Sequence, residues 1–289
     1  MSKLIIYNQS GYFFHICDAI YNKLKPYFNE NELEIKNCNT DENNVDINDD
    51  INLYLTFVPF NRLNINQTPK KYIVYNFEQF TTDKNWSESY INFLKKAIYV
   101  IDYSLININK LNEYGINAFF MPYTPSGIYT HPDLSSTKKD IDVLFIGNLN
   151  NKRKEWLKEL SSCNIHLKVI TNLFYEKSIE YFARSKIVLN IHYYKGDSIL
   201  EVTRIFPALE NNCLIISEQS SDPYYNVLYN NIIKITNLEN VKEDIKNILN
   251  NYNNFLLDSN SNFNKLSSNN NIKINELIRF IKNILINQK

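Results

Sequence analysis

The stretch DSILEVTRIFPALENNCLIISEQSSD, Asp197–Asp222, decides the fold. It reads as a helix followed by a strand. Asp197 or Ser198 serves as the N-cap, because a short side-chain oxygen accepts from the first free amides of a helix. Ile199, Leu200, Thr203, Ile205, Phe206 and Leu209 give an apolar stripe at helix-compatible spacing. Pro207 lies inside the segment and predicts a kink or break near Thr203, since Pro has no N–H to bond one turn back. Asn211-Asn212 forms the turn, and Cys213–Ser217 is a continuous apolar run suited to a buried parallel strand. Just before the helix, Lys186–His192 (KIVLNIH) is another such strand. Glu201 and Arg204 fall near the helix start. A helix N-terminus opposite the carboxyl end of a parallel strand is a place where a diphosphate binds.

The same alternation extends outward in both directions. Lys3–Tyr7, Glu30–Cys38, Leu53–Phe57, Lys71–Tyr75, Tyr99–Asp102 and Ala118–Met121 are strand candidates, and Phe13–Leu24, Trp86–Lys96 and Leu105–Tyr114 are helix candidates. Gly115 ends the last of these as a C-cap. Strands alternating with helices imply a parallel α/β domain. Tyr123–Lys139, with Pro, Gly and Ser and little periodicity, reads as an interdomain linker plus the approach to the second domain. Asp142–Ile146 then opens a second α/β domain, and Ile232–Ile235 and Val241–Asn250 add a strand and a helix. Ser259–Asn271 is Asn/Ser-rich and reads as loose, while Ile272–Ile286 carries apolar residues at helical spacing. The expected division is residues 1–126, an N-terminal Rossmann-like domain, 127–262, a C-terminal Rossmann-like domain, and 263–289, a C-terminal helix.

The 289 residues suffice for two domains, and 44% of them are hydrophobic, which excludes global disorder. A formal net charge of zero gives no electrostatic case for nucleic acid or an anionic membrane as partner. Phosphate binding must then come from local Lys, Arg and backbone amides. Cys17, Cys38, Cys163 and Cys213 lack metal-ligand spacing, and with no basic-then-apolar leader they point to a reducing, cytoplasmic setting. No apolar run reaches the length of a membrane span. There is no G-x-G-x-x-G after the first strand, no Walker A motif and no nucleophile elbow, so no cofactor is expected.

Several residues sit where ligands collect in such sheets, just past the carboxyl ends of strands. Gly147-Asn148 ends one strand and precedes Lys152-Arg153-Lys154; a glycine there lets a ligand approach the backbone, and the basic run is otherwise a solvated turn. His192-Tyr193-Tyr194 ends another, where His192 bonds a phosphate or a sugar hydroxyl and the tyrosines stack, or all three are half-buried core. Thr171–Phe174 follow the preceding strand at the same edge. Glu78-Gln79, Asp102-Tyr103-Ser104 and His15 occupy comparable places in the first domain, with structural roles open for each. Glu201 and Arg204, one turn apart, form either a surface pair or a site in which the carboxylate takes hydroxyls and the guanidinium takes phosphate.

KIVLNIHYY (Lys186–Tyr194) followed by ILEVTRIFPALENNCLIISE (Ile199–Glu218) resembles the donor-binding half of GT-B glycosyltransferases, and within them a bacterial and large-virus branch. YNFEQF (Tyr75–Phe80), DYSLIN (Asp102–Asn107) and DVLFIGNLNNKR (Asp142–Arg153) resemble that branch too. The resemblance covers about Tyr72 to Asp222. It implies two Rossmann-like domains facing a cleft, with the C-terminal helix crossing back to the first. It further implies metal-independent transfer of a sugar, from a UDP- or GDP-linked donor held by the second domain, to a hydroxyl of a glycan or other acceptor held by the first. Gly147, Asn148, Lys152, Arg153 and Arg204 would then hold the diphosphate, Glu201 and His192 the sugar, and Thr171, Asn172 and Tyr193 the nucleotide. Glu78 and Asp102 would be acceptor-side catalytic candidates. The family places a second glutamate eight positions after the first, but position 209 is Leu and the nearby acid is Glu210. Asp140-Ile141-Asp142 has the spacing of a metal-binding triplet from a different transferase fold, yet it precedes its strand and points to the wrong edge. A non-catalytic binding relative and a nucleotide-sugar epimerase of this fold are the other readings.

Overall fold

A computed structural model of the chain describes residues 2–9, 13–37, 50–59, 62–80, 86–125, 127–173, 176–269 and 271–286. Cys38 and Phe174 lie outside the described residues. The chain divides into two compact units, residues 1–126 with 270–289, and residues 127–269.

The first unit contains β1 (Leu4–Asn8), α1 (Phe14–Leu24), β2 (Leu33–Asn37), β3 (Leu53–Phe57), β4 (Tyr72–Asn76), α2 (Glu88–Lys96), β5 (Tyr99–Asp102), α3 (Leu105–Glu113) and β6 (Ala118–Phe120). The strands form one parallel sheet in the order β2-β1-β3-β4-β5-β6. LIIYN, LYLTF and YIVYN are buried at every position, as strands covered on both faces must be. Register puts Tyr7 beside Thr56 and Asn8 beside Phe57. One face packs Ile5, Tyr7, Tyr54 and Val74 against Tyr90, Phe93 and Leu94 of α2.

The second unit contains β7 (Ile141–Ile146), α4 (Asn151–Ser161), β8 (Leu167–Ile170), α5 (Glu176–Ala183), β9 (Ser185–Asn190), α6 (Val202–Glu210), β10 (Leu214–Ser217), α7 (Pro223–Leu228), β11 (Ile233–Ile235), α8 (Val241–Asn250) and α9 (Tyr252–Asn269). Its parallel sheet runs β11-β10-β9-β7-β8. From β7 the chain steps to β8 on one side and then returns to β9 on the other. That reversal is the topological switch point, where ligands bind in open α/β sheets. The first sheet has its own reversal at β1, with β2 on one side and β3 on the other. The last helix, α10 (Asn271–Ile286), packs in the first unit: the Phe280 ring lies 4.3 Å from that of Tyr99, and Lys282 Nζ sits 5.3 Å from the ring centroid of Phe28.

Three local expectations change. The helix after β9 begins at Val202, not at Asp197 or Ser198. Ser198 is tied elsewhere: its N–H donates to Ser221 Oγ at 3.1 Å, and its carbonyl accepts from Ser221 N at 2.8 Å. Ile199 and Leu200 are buried in the extended approach to the helix. Pro207 stays inside the helix, so only the bond to the Thr203 carbonyl is lost. The stretch read as loose, Ser259–Asn271, is mostly helix, because α9 runs to Asn269. Tyr252, Leu256 and Phe263 recur on one of its faces; the first two pack on the second unit's core, and Phe263 is buried. Within Tyr123–Lys139 the approach to the second unit is held from Gly127 onward: Glu210 accepts from Gly127 N and Tyr129 N, both at 2.9 Å, and Asn211 clamps Tyr129 and His131.

Candidate functional site

Four strands of the second sheet deliver residues to its carboxyl edge. β7 ends in Gly147-Asn148, β8 in Thr171-Asn172, β9 leads to Ile191-His192-Tyr193, and β10 leads to Glu218-Gln219. α4 enters from this edge, its N-cap Asn150 accepting from Arg153 N at 2.9 Å. α6 enters beside it, with Glu201 as the N-cap residue. The Asn150 amide also donates to the Tyr193 carbonyl at 2.6 Å, tying the β9 loop to α4.

Arg153 spans the switch point. Its Nε and Nη2 donate to the Ile191 carbonyl at 2.9 and 2.6 Å, and its Nη1 to the Asn148 carbonyl at 2.9 Å. Nη2 also reaches Glu201 Oε1 at 2.7 Å. The guanidinium carbon lies 5.3 Å from the centroid of the Phe145 ring and 5.1 Å from that of Tyr193. Such contacts suit a planar, weakly hydrated cation. With its side chain 3% exposed, Arg153 holds the ends of β7 and β9 together and aims Glu201.

The other Glu201 oxygen, Oε2, pairs with Arg204 Nη2. Arg204 Nη1 donates to Asn190 Oδ1 at 2.8 Å, and the Asn190 amide donates to Ser217 Oγ at 2.9 Å. Arg204 is thus fixed from the last residues of β9 and β10. Burial pushes the Glu201 carboxyl up, but Arg204, Arg153 and nearby His192 outweigh burial and hold it below its ordinary value. Two guanidiniums and one carboxylate leave one net positive charge at the helix start. Gly147 makes the close packing possible. Its φ is 154°, and a Cβ there would meet Arg204 Nη2 at 3.0 Å and Arg153 Nη1 at 3.3 Å.

A second ion pair borders the first. Lys152 Nζ lies 2.8 Å from Glu218 Oε1, with side chains 23% and 15% exposed. Glu218 Oε2 also accepts from His192 N at 2.7 Å. Thr171 and Asn172 are exposed, and Asn172 adopts a φ of 56°. The structure thus gathers Gly147, Asn148, Lys152, Arg153, His192, Tyr193, Glu201 and Arg204 at one edge. Sequence reasoning missed Glu218, Asn190 and Phe145. Glu218 had a usable signal, as the first charge after the β10 run.

In the first unit Asp102 ends β5 and is fully buried. Its Oδ2 accepts from the Asn76 amide at 2.6 Å and the Asn107 amide at 3.1 Å; its Oδ1 accepts from Ser104 N at 2.8 Å and the Asn107 amide at 3.0 Å. Asn76 Oδ1 in turn accepts from Tyr90 Oη at 2.9 Å. The acceptor-side candidate Asp102 thus has both carboxylate oxygens held in a hydrogen-bond network. Glu78 joins through its backbone, its carbonyl accepting from Asn76 and Asn107, while its side chain is half-buried. Burial pulls the His15 imidazole down to about 4. At the end of β1, Asn8 is fully buried, and neither atom of its amide has a hydrogen-bond partner.

Asp140 pairs with Arg184, and Asp142 with Lys186. Among the described residues no group of three or more His, Cys, Asp or Glu side chains is arranged to hold a metal ion, and no helix is long and apolar enough to cross a membrane.

No known family model matches the chain. Over 169 residues it is 30% identical to the uncharacterized protein R358 of Acanthamoeba polyphaga mimivirus, a match covering 56% of this chain and 58% of that protein. The chain thus spans little more than half the length of that relative. Structural likeness extends further. Anabaena Alr3699/HepE in complex with UDP superposes with a TM-score of 0.62 at 11% identity, covering 99% of this chain and all of the other. An alpha-glucosyltransferase in complex with UDP and a 13-mer DNA containing a HMU base gives 0.59 at 9% identity, covering 96% and 100%. A glycosyltransferase from Rickettsia africae ESF-5 gives 0.57 at 12% identity, covering 99% and 98%. The two parallel-sheet units are shared along nearly the whole chain. It has the GT-B fold. Within this GT-B chain, position 209 is a buried leucine, and Glu210 holds the backbone of Gly127 and Tyr129.

Proposed function

We propose that this chain is a glycosyltransferase that moves a sugar from a nucleotide-sugar donor to an acceptor hydroxyl. The observation that carries the reading is the Arg153–Glu201–Arg204 constellation at the switch point of the second sheet. A carboxylate beside a diphosphate is repelled by it, so its presence calls for another partner. Sugar hydroxyls supply one, since an ionised carboxylate is a strong acceptor. Glu201 holds the transferred sugar and Arg153 keeps Glu201 in place. Arg204, Lys152 and the amides near Gly147 and Asn148 take the diphosphate. Thr171, Asn172 and Tyr193 face the nucleoside. UDP in the HepE and alpha-glucosyltransferase complexes supports a uridine-linked donor, and a GDP-linked donor is the alternative. The first unit takes the acceptor, for which the unsatisfied Asn8 amide at the end of β1 is a contact.

In the reaction the bond from the anomeric carbon to the diphosphate oxygen breaks. A bond to the acceptor oxygen forms, and the proton of the acceptor hydroxyl passes to the departing diphosphate, which carries the electron pair of the broken bond. Rate comes from positioning and from cations stabilising the leaving diphosphate. The chemistry is metal-independent, with Asp140 and Asp142 committed to Arg184 and Lys186.

The test is a panel of nucleotide sugars, with and without simple hydroxyl acceptors, in EDTA. Release of nucleoside diphosphate from UDP- or GDP-linked hexoses, stimulated by acceptor, is the expected outcome. Tight binding without release would mark a non-catalytic relative, and an epimerised donor would mark an epimerase. Activity that vanishes in EDTA and returns with Mn²⁺ overturns metal independence.

A further inference from the structure

His192 lies two residues past β9 and is 3% exposed. Its Nε2 sits 3.2 Å from the carbonyl oxygen of Gln219. A carbonyl only accepts, so Nε2 carries the hydrogen, and the neutral ring keeps a bare lone pair on Nδ1. That Nδ1 is buried and has no hydrogen-bond partner. Folded proteins rarely leave a buried acceptor unmade, because its desolvation then goes uncompensated.

The charges facing the ring come from three elements: Glu201 at the start of α6, Glu218 after β10 and Lys152 in the first turn of α4. Burial pulls the imidazole down; Glu201 and Glu218 oppose that, Lys152 adds to it, and the ring stays below its ordinary value of 6.5. At neutral pH the group beside the sugar ligand Glu201 is therefore an acceptor that lacks a donor. A phosphate brings no hydrogen at that pH. A sugar hydroxyl does.

We infer that Nδ1 of His192 accepts a hydrogen bond from one hydroxyl of the transferred sugar, which makes His192 a specificity-determining residue. This rests on the glycosyl-transfer reading and adds which group reads the sugar. Sites built to bond a substrate hydroxyl reject the analogue lacking it far more strongly than apolar pockets reject a methylene. Tyr193, the next residue in the chain, is 42% exposed, so this loop borders solvent.

The experiment compares the best natural donor with its monodeoxy analogues. Wild type, His192→Asn and His192→Gln are used, with turnover and donor binding by calorimetry measured for each. Asn places an amide oxygen where Nδ1 stood, and Gln reaches the Nε2 position instead. Wild type should reject one monodeoxy donor by about a hundredfold or more. His192→Asn should keep that discrimination, and His192→Gln should lose it. UDP affinity should be the same in all three. In wild type, kcat/KM should fall as pH drops through the lowered imidazole value, because a proton then occupies Nδ1. Three results overturn the inference: equal use of every monodeoxy donor, as expected if a water fills the place; wild-type behaviour of His192→Gln; or a rate that falls as pH rises through the imidazole range. Transfer that persists in any of these cases leaves the glycosyltransferase reading standing. If no nucleotide sugar binds, both fall.

Discussion

At the first sheet the buried carboxylate of Asp102 is surrounded by amides from Asn76, Ser104 and Asn107; at the second, the carboxylate of Glu201 is surrounded by the guanidiniums of Arg153 and Arg204. The two sheets are both parallel, and each has one reversal of strand order. Their carboxyl edges are built for different purposes. Neutral amides fix an anion without offering charge to a newcomer. Guanidiniums paired with a single carboxylate keep surplus positive charge, and a second anion can share them. The difference teaches which edge carries surplus positive charge in a chain whose net charge is zero.

The largest test of that contrast is Glu201→Gln. It removes the charge and leaves two guanidiniums without their counter-ion. Breaking a buried pair in this way costs about 3–5 kcal/mol. Denaturant unfolding followed at Trp156, in a Trp86→Phe background, reads the second unit. Added pyrophosphate should restore part of the loss. The Glu201 carboxyl is depressed in the folded chain, so its contribution is full above its ordinary value of 4.5 and is lost as pH falls through the depressed one. The gap between wild type and variant should close over that acidic window. A variant as stable as wild type at pH 7 would show that the two edges do not differ as described.

Asp102→Asn should cost less, about 2–3 kcal/mol, from charge-assisted bonds weakened or reversed. Trp86 emission in a Trp156→Phe background reads this one. Pyrophosphate should restore nothing. If the variant is fully stable and transfer is abolished, Asp102 meets the acceptor after all. Gly147→Ala should cost least in stability, about 1 kcal/mol for an alanine at positive φ. Its added Cβ pushes on Arg204 and Arg153, so nucleoside diphosphate should bind about tenfold more weakly, a change of about 1.4 kcal/mol. Unchanged binding by calorimetry would place the diphosphate away from Gly147.

Much of this was legible in the sequence wherever a signal is local. LIIYN, LYLTF and YIVYN announce strands because burial on both faces demands unbroken apolar runs. Glu201 and Arg204 are one turn apart, and they pair. Legibility failed where a distant partner decides. Ser198 looks like a helix cap, yet Ser221 takes its backbone. Arg153 has the spacing of a phosphate ligand, and that spacing does not show that Glu201, Ile191 and Asn148 also take its donors. The Asn- and Ser-rich run of α9 disfavours a helix by composition, and packing of Tyr252, Leu256 and Phe263 overrides it. His192 shows its importance only when every partner of the ring has been counted.

The first unit is discontinuous in the chain: residues 1–126 are completed by 270–289. On the ribosome this sets a schedule. At roughly 5–20 residues per second, the segment from 127 to 269 takes about 7–30 s to emerge. During that time the first sheet lacks α10, whose Phe280 covers Tyr99. The second unit, contiguous and already holding its charged edge, can close first. A chain ending at residue 269 and released from the ribosome should therefore resist protease across the second unit while the first is still being cut.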